Sequence, residues 1–267
     1  MACLAFAGHA WAEKTVIERP VGQPDPPSFP VVAPSPERRH ILVGAERPLK
    51  MPSQAAAIAR PGDIVEIDAD TYVGDVAVWF ADNLTIRGVG GRARLLAAGR
   101  AAEGKAIWVI KGNNTRVENI EFAEAAVDAG NGAGIRAEGA NLTVFGCYFH
   151  DNQEGILTSL DVVESELDIE NSEFARNGGN GGKSHEIYVN GLNQLIVRGN
   201  YFHHGRIGHL IKSRAKRNFI IANRITDEAE GSASYEIEFP NGGYNVVMNN
   251  LIEKGPGAQN TTTLANA

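Results

Sequence analysis

The segment from His203 to Arg217 carries three of the seven histidines and five Lys or Arg residues, in a chain whose formal net charge is −7. Such a basic island suits an anionic polymer as partner. It suits equally a surface balanced by the acidic run Asp227, Glu228 and Glu230. Within it, His209-Leu-Ile-Lys-Ser-Arg214 holds the residue types needed to abstract a proton beside a carboxylate. That chemistry requires a cation to neutralise the carboxylate, a base for the proton and an acid for the leaving oxygen. Arg214 can pair with a carboxylate bidentately. Lys212, its neutral form favoured by Arg214 and Lys216, or a neutral His209, can serve as base. His203, His204 and Arg206 are candidate substrate contacts from the same island.

These residues sit inside a repeat. A β-branched residue recurs at Val117, Val144, Ile169, Val197, Ile220 and Val247, with spacings of 27, 25, 28, 23 and 27. Phe122, Phe149, Phe174, Phe202, Ile225 and Ile252 keep the same five spacings. Two columns in step at such a period, with Gly/Asn-rich turns between short apolar segments, indicate a solenoid. The Leu-x-x-Leu-x-Leu pattern of leucine-rich repeats is absent. A right-handed parallel β-helix is expected, all-β, with one coil per repeat and coils about 4.8 Å apart. The column Ile120, Cys147, Ser172, Asn200, Asn223, Asn250 reads as a side-chain ladder, with Cys147 a buried small hydrophobe.

A further apolar column, Ile135, Ile156, Ile187, Leu210 and Ile237, marks another strand of each coil. Alternation then places its flanking residues outside. Glu186, His209 and Glu236 stack on successive coils, flanked by Tyr188 and Glu238, as a candidate groove for a polymer. The bland alternative is a solvated polar face. On strict alternation Lys212 shares the parity of inward Leu210, and it reaches the surface only if the strand ends near Ile211. The carboxylates Glu186, Glu236 and Glu238 also allow an acid and base pair for glycoside hydrolysis. Gly178-Gly-Asn-Gly-Gly182 reads as a flexible loop beside the groove.

Ser53-Gln-Ala-Ala-Ala-Ile-Ala-Arg-Pro-Gly-Asp-Ile-Val-Glu-Ile-Asp-Ala-Asp-Thr-Tyr72 resembles the opening of pectate-lyase-like β-helix proteins, where a short N-terminal cap helix precedes a Pro-Gly-Asp strand entry. The resemblance implies that Ser53 caps this helix and that the helix covers an open sheet edge. His209-Leu-Ile-Lys-Ser-Arg214 is similar to the acid-Ile-Ile-x-x-Lys strand of the alginate lyase and chondroitinase B-like family. Aligned so, His209 replaces the acid and Arg214 the proton-abstracting Lys. The family's paired strand carboxylates are missing, and Glu236 and Glu238 stand on the next coil. Calcium enters as a candidate cofactor through this resemblance alone. The aspartate motifs of polygalacturonases and the Asp-Pro-His-Asp of alginate epimerases are absent. The expected function is elimination or C5 epimerisation on an acidic polysaccharide, with a non-catalytic glycan-binding or structural β-helix as the alternative.

The rest of the chain sets limits. No apolar run reaches 18 residues, so no membrane span is expected. The acidic balance argues against nucleic acid as partner, and a monomer is expected. Residues 1–12 end in Ala10-Trp11-Ala12 and read as the remnant of a signal peptide. Its removal leaves Cys147 as the one cysteine, which suits a secreted or periplasmic bacterial protein. Seven of the twelve prolines fall between Pro20 and Pro36, so 13–47 reads as an extended Pro-rich leader. The β-helix domain is expected over 48–267, with a further coil cut short after Thr263-Leu264.

Overall fold

The computed structural model describes residues 38–160 and 164–267. The expected signal remnant and residues 13–37 of the expected leader lie outside the described residues. The described chain is a parallel β-solenoid of three sheets, with nine, eight and eight strands. Each coil supplies one strand to each sheet. The first sheet runs from His40–Val43 to Tyr244–Met248, the second from Thr71–Val73 to Leu251–Glu253, and the third from Ala77–Trp79 to Leu264–Asn266. The solenoid thus begins inside the segment read as leader: His40–Val43 pairs in parallel with Ile64–Asp68. Its burial alternates, with Ile41 and Val43 inward, which is what a strand needs and a free leader does not supply.

The two sequence columns are the register of the first and second sheets. Val144 pairs with Val117 and Ile169, and the series continues through Val197 and Ile220 to Val247. Phe122, Phe149, Phe174 and Phe202 stack face to face inside, with ring centroids 4.9, 4.9 and 4.7 Å apart. Trp79 and Trp108 continue that stack edge-on at 5.1 Å per step. Buried rings at this spacing gain packing energy beyond area burial alone.

The corner between the first two sheets explains the third column. Gly146, Asn171, Gly199, Ala222 and Asn249 all take positive φ, and the residue after each turns inward. The N–H of Ser172 donates to Asn200 Oδ1 at 2.8 Å, that of Asn200 to Asn223 at 2.9 Å, and that of Asn223 to Asn250 at 2.8 Å. The Asn side-chain amides donate in turn to the carbonyls of Ile169, Val197 and Ile220. Corner N–H groups that would be orphaned are therefore satisfied coil by coil. Cys147 is fully buried in this column, and burial pushes its thiol up to about 12, as a packing residue requires.

The cap helix is Pro52–Ile58. Met51, not Ser53, occupies its N-cap position. The hydroxyl and N–H of Ser53 are instead given to Asp75, which ties the cap to the first full coil. Among the described residues no helix is long and apolar enough to cross a membrane.

Candidate functional site

The third sheet departs from simple alternation. Ala133 pairs with Glu154 and Ile135 with Ile156, while Gly134 and Gly155 between them are skipped. A Cβ on Gly134 would lie 2.7 Å from the Phe149 ring, and one on Gly155 would lie 3.0 Å from Phe174. The chain bends at this point so that two consecutive residues face the interior. At the coils of Glu186, Leu210 and Glu236 the first of those two positions is taken by these residues. The second is held by Ile187, Ile211 and Ile237. The inward column therefore passes through Ile211, not Leu210, and both are fully buried.

That one-residue shift decides the site. Lys212 pairs with Tyr188 on one side and Glu238 on the other, in an outward row. The strand His209–Ser213 extends past Ile211, and Lys212 reaches the outer face within it. Lys212 Nζ lies 3.1 Å from Glu238 Oε2 and 5.5 Å from the centre of the Tyr188 ring. Arg214 Nε donates to the Tyr188 hydroxyl at 3.2 Å, and its guanidinium also reaches Asn241. In a second outward row the rings of His185 and His209 are 4.7 Å apart, and Tyr235 meets His209 edge-on at 4.9 Å. His209 Nδ1 lies 2.9 Å from Glu238 Oε2, although neither atom makes a well-aimed hydrogen bond. His209, Lys212, Arg214, Tyr188 and Glu238 are thus brought together. His185, Tyr235 and Glu154 join them unforeseen. The signal was available: aligning Ile211 with Ile187 and Ile237 puts His209 directly between His185 and Tyr235.

Glu186 and Glu236 do not lie on the outer face with them. Both side chains are fully buried on the inner side of the bend. Glu186 accepts from the Asn177 N–H at 3.0 Å and from the Asn177 amide. It ends a second side-chain ladder, in which Asn152 donates to Asn177 Oδ1 at 2.8 Å. The next coil offers Gly205 at that place and has no acceptor to give. Burial raises the Glu186 carboxyl well above its ordinary range, against the two hydrogen bonds from Asn177. Glu236 pairs internally with Lys254 at 3.0 Å.

His203, His204 and Arg206 are also elsewhere. They lie on or beside the second sheet, where His203 meets Glu173 at 3.2 Å, His204 meets Glu230 at 3.2 Å, and Arg206 pairs with Asp151. The basic island is split between two faces, and this half is the charge-balanced surface. The loop at Gly178–Gly182 includes a short helical turn, Asn180–Gly182, and is pinned: Gly178 bridges to Arg206, and Ser184 Oγ donates to the Gly130 carbonyl at 2.6 Å.

Electrostatics divide the two outward histidines from ordinary surface ones. Burial, then the neighbouring His209, Lys212 and Arg214, depresses His185 to about 2. Burial depresses His209 to about 4, opposed by Glu238 and aided by Lys212. Both are neutral at pH 7. With the Glu238 carboxylate beside Nδ1 of His209, the proton belongs on Nδ1 and the lone pair on Nε2. Glu154, buried one coil before His185, is raised well above its ordinary range, chiefly by burial. Calcium does not fit this cluster. It takes six to eight oxygen ligands, whereas Glu238 is already engaged by an ammonium and an imidazole.

No family model, no curated protein and no solved structure matches the chain.

Proposed function

We propose that the outer face of the third sheet acts on an anionic uronate polymer by abstracting the C5 proton, as a polysaccharide lyase. The observation that carries this reading is the cluster itself: a neutral His209 with its Nδ1 beside Glu238, next to Lys212 and Arg214. Arg214 and Lys212 neutralise the uronate carboxylate, which acidifies C5–H. His209 Nε2 takes the proton, so Lys212, already paired with Glu238, is charge stabiliser rather than base. The electron pair left at C5 forms the C4=C5 double bond as the C4–O bond breaks. The leaving oxygen takes a proton from the hydroxyl of Tyr188 or Tyr235. Epimerisation shares the first step but returns a proton to the opposite face of the sugar. A cluster rising from one sheet face supplies one side only, which favours elimination. Such a polymer fits the export expected from Ala10-Trp11-Ala12.

The test is absorbance near 235 nm, where unsaturated uronates absorb, over a panel of polyuronates and glycosaminoglycans. A rise that His209→Ala abolishes supports the lyase. The second reading, glycan binding without turnover, is favoured by the prior neutralisation of Lys212 by Glu238. Salt-sensitive binding with no absorbance change on any polymer would decide for it.

A further inference from the structure

The loop between the strands Ala93–Leu96 and Ala106–Ile110 does not stay beside the third sheet. The Ala102 N–H donates to the Ala106 carbonyl at 2.7 Å, which turns the chain back over the following strand. Glu103 then accepts from Lys105 at 2.9 Å and from Lys111, beyond the far end of that strand, at 2.5 Å. Lys105 also donates to Glu138 on the next coil at 2.7 Å. A carboxylate carried before a strand that meets an ammonium after it spans the strand's outer face. Beneath it, Ala102, Ala106, Val109, Ala133 and Leu157 form a buried apolar cluster distinct from the solenoid interior. Val109 stands in the same outward row as Lys212, yet it has no exposed surface. The outer face is therefore apolar and covered at Val109 and Leu157, and polar and partly exposed at Lys212 and Glu238.

Arg136 stands in that row between Val109 and Leu157, with its side chain 22% exposed. Its Nε is buried without a hydrogen-bond partner and lies 3.9 Å from the Glu138 carboxylate. Glu138 is meanwhile held by Lys105. A cation left this poorly matched is suited to an incoming carboxylate.

We infer that this strap closes one end of the groove, and that Arg136 receives the terminal uronate, so that the site takes the polymer by a chain end and not from the middle. This rests on the uronate reading above. Three coils separate Arg136 from Lys212 through Leu157 and Tyr188. At about 4.8 Å per coil that is about 14 Å, room for roughly three sugar rings between the closed end and the proton-abstracting group.

The experiment follows both product size and binding, with the full chain. On whichever polyuronate raises the 235 nm absorbance, the wild type releases one short oligosaccharide class from the first minutes. Viscosity then falls only in proportion to bonds broken. Glu103→Ala combined with Lys111→Ala loosens the strap and shifts the early products to a broad ladder. A broad ladder from the wild type, with turnover intact, overturns end recognition and leaves the lyase reading standing. If no polymer is eliminated, the lyase reading falls, and binding alone decides the inference. End recognition requires that the number of protein molecules bound per polyuronate chain stay constant as the chain lengthens. A number growing with length, or no binding to any polyuronate, overturns it. Arg136→Ala weakens binding of short oligouronates about tenfold, the loss of one charge-assisted hydrogen bond, with kcat on saturating polymer less affected than KM. Unchanged affinity in that variant, with an unchanged melting temperature, removes Arg136 from the proposal.

Discussion

The main-chain N–H of His209 donates to Nδ1 of His185 at 3.0 Å, while the side chain of His209 turns its own Nδ1 toward Glu238. The two neighbouring imidazoles are thereby held in opposite tautomers. His185 carries its proton on Nε2 and can only donate there. His209 keeps a lone pair on Nε2 and can accept. One backbone bond and one carboxylate so set up a donor and an acceptor from two identical side chains on adjacent coils.

The pH dependence follows from these two groups with definite signs. Activity that needs neutral His209 rises with pH through about 4 and is level above it. Stability responds separately. Below about pH 6.5 the unfolded chain takes up protons that folded His185 and His209 refuse, so stability is lost as pH falls. For His209 that loss stops near 4, and for His185 near 2. His185→Gln keeps an acceptor for the His209 N–H and removes the titration. Melting temperature measured from pH 7 to 4 should fall less steeply in this variant than in the wild type. Parallel curves would mean that His185 is solvated and titrates normally.

Glu186→Ala should damage stability and spare chemistry. The substitution strands the N–H of Asn177 and one hydrogen of its amide in the interior, the other staying on the Phe149 carbonyl. Unpaired buried donors cost about 1–3 kcal/mol each. The unfolding midpoint should drop well below that of Lys212→Ala, while elimination per folded molecule is retained. Lost turnover in a fully folded Glu186→Ala protein would return this carboxylate to the groove.

How far the sequence could be read depended on the sheet. In the first sheet inward and outward residues alternate, and in the second one large apolar residue per strand faces in, so Val117 to Val247 and Phe122 to Ile252 pair as their spacing indicates. The asparagine ladder at Asn200, Asn223 and Asn250 was visible for the same reason. In the third sheet the bend turns two successive residues inward, so alternation fails there. Leu210 and Ile211 are both apolar, and nothing local says which one continues the column. A column through Leu210 gives Lys212 an inward place on that coil, whereas the column through Ile211 puts it outside. Alternation also puts Glu186 and Glu236 outside, since they precede Ile187 and Ile237, whereas the bend turns them in. His40–Val43 is not separable from the proline-rich leader by sequence, because a four-residue strand beside such a segment has too little pattern of its own.

Gly134→Ala tests the bend directly. The added methyl would meet the Phe149 ring at 2.7 Å in the interior. Overpacking of this kind costs about 1–3 kcal/mol. Pairing it with Phe149→Leu, which frees space at the ring edge, should recover part of the loss in a double-mutant cycle. Strict additivity by chemical denaturation would mean that Gly134 does not face the ring stack.

The split of the basic island separates specific chemistry from general charge attraction. Arg206 carries the same charge as Arg214, and both it and His204 lie within ten residues of it. They belong to the second sheet's surface and are matched there by Asp151 and Glu230. Exposed pairs of this kind contribute little, and their influence on the third sheet is screened within about 8 Å at physiological salt. Arg214, by contrast, bonds Tyr188 beside Lys212. Arg214→Ala should therefore lower kcat on an active polyuronate by about a hundredfold, the scale of one lost electrostatic donor at a reacting centre. His204→Ala and Arg206→Ala should change kcat by less than about twofold, the scale of an exposed pair. If all three variants lose activity alike, and added salt abolishes the difference from the wild type, the island acts as one electrostatic surface. The residues around Lys212 would then hold the polymer without transforming it.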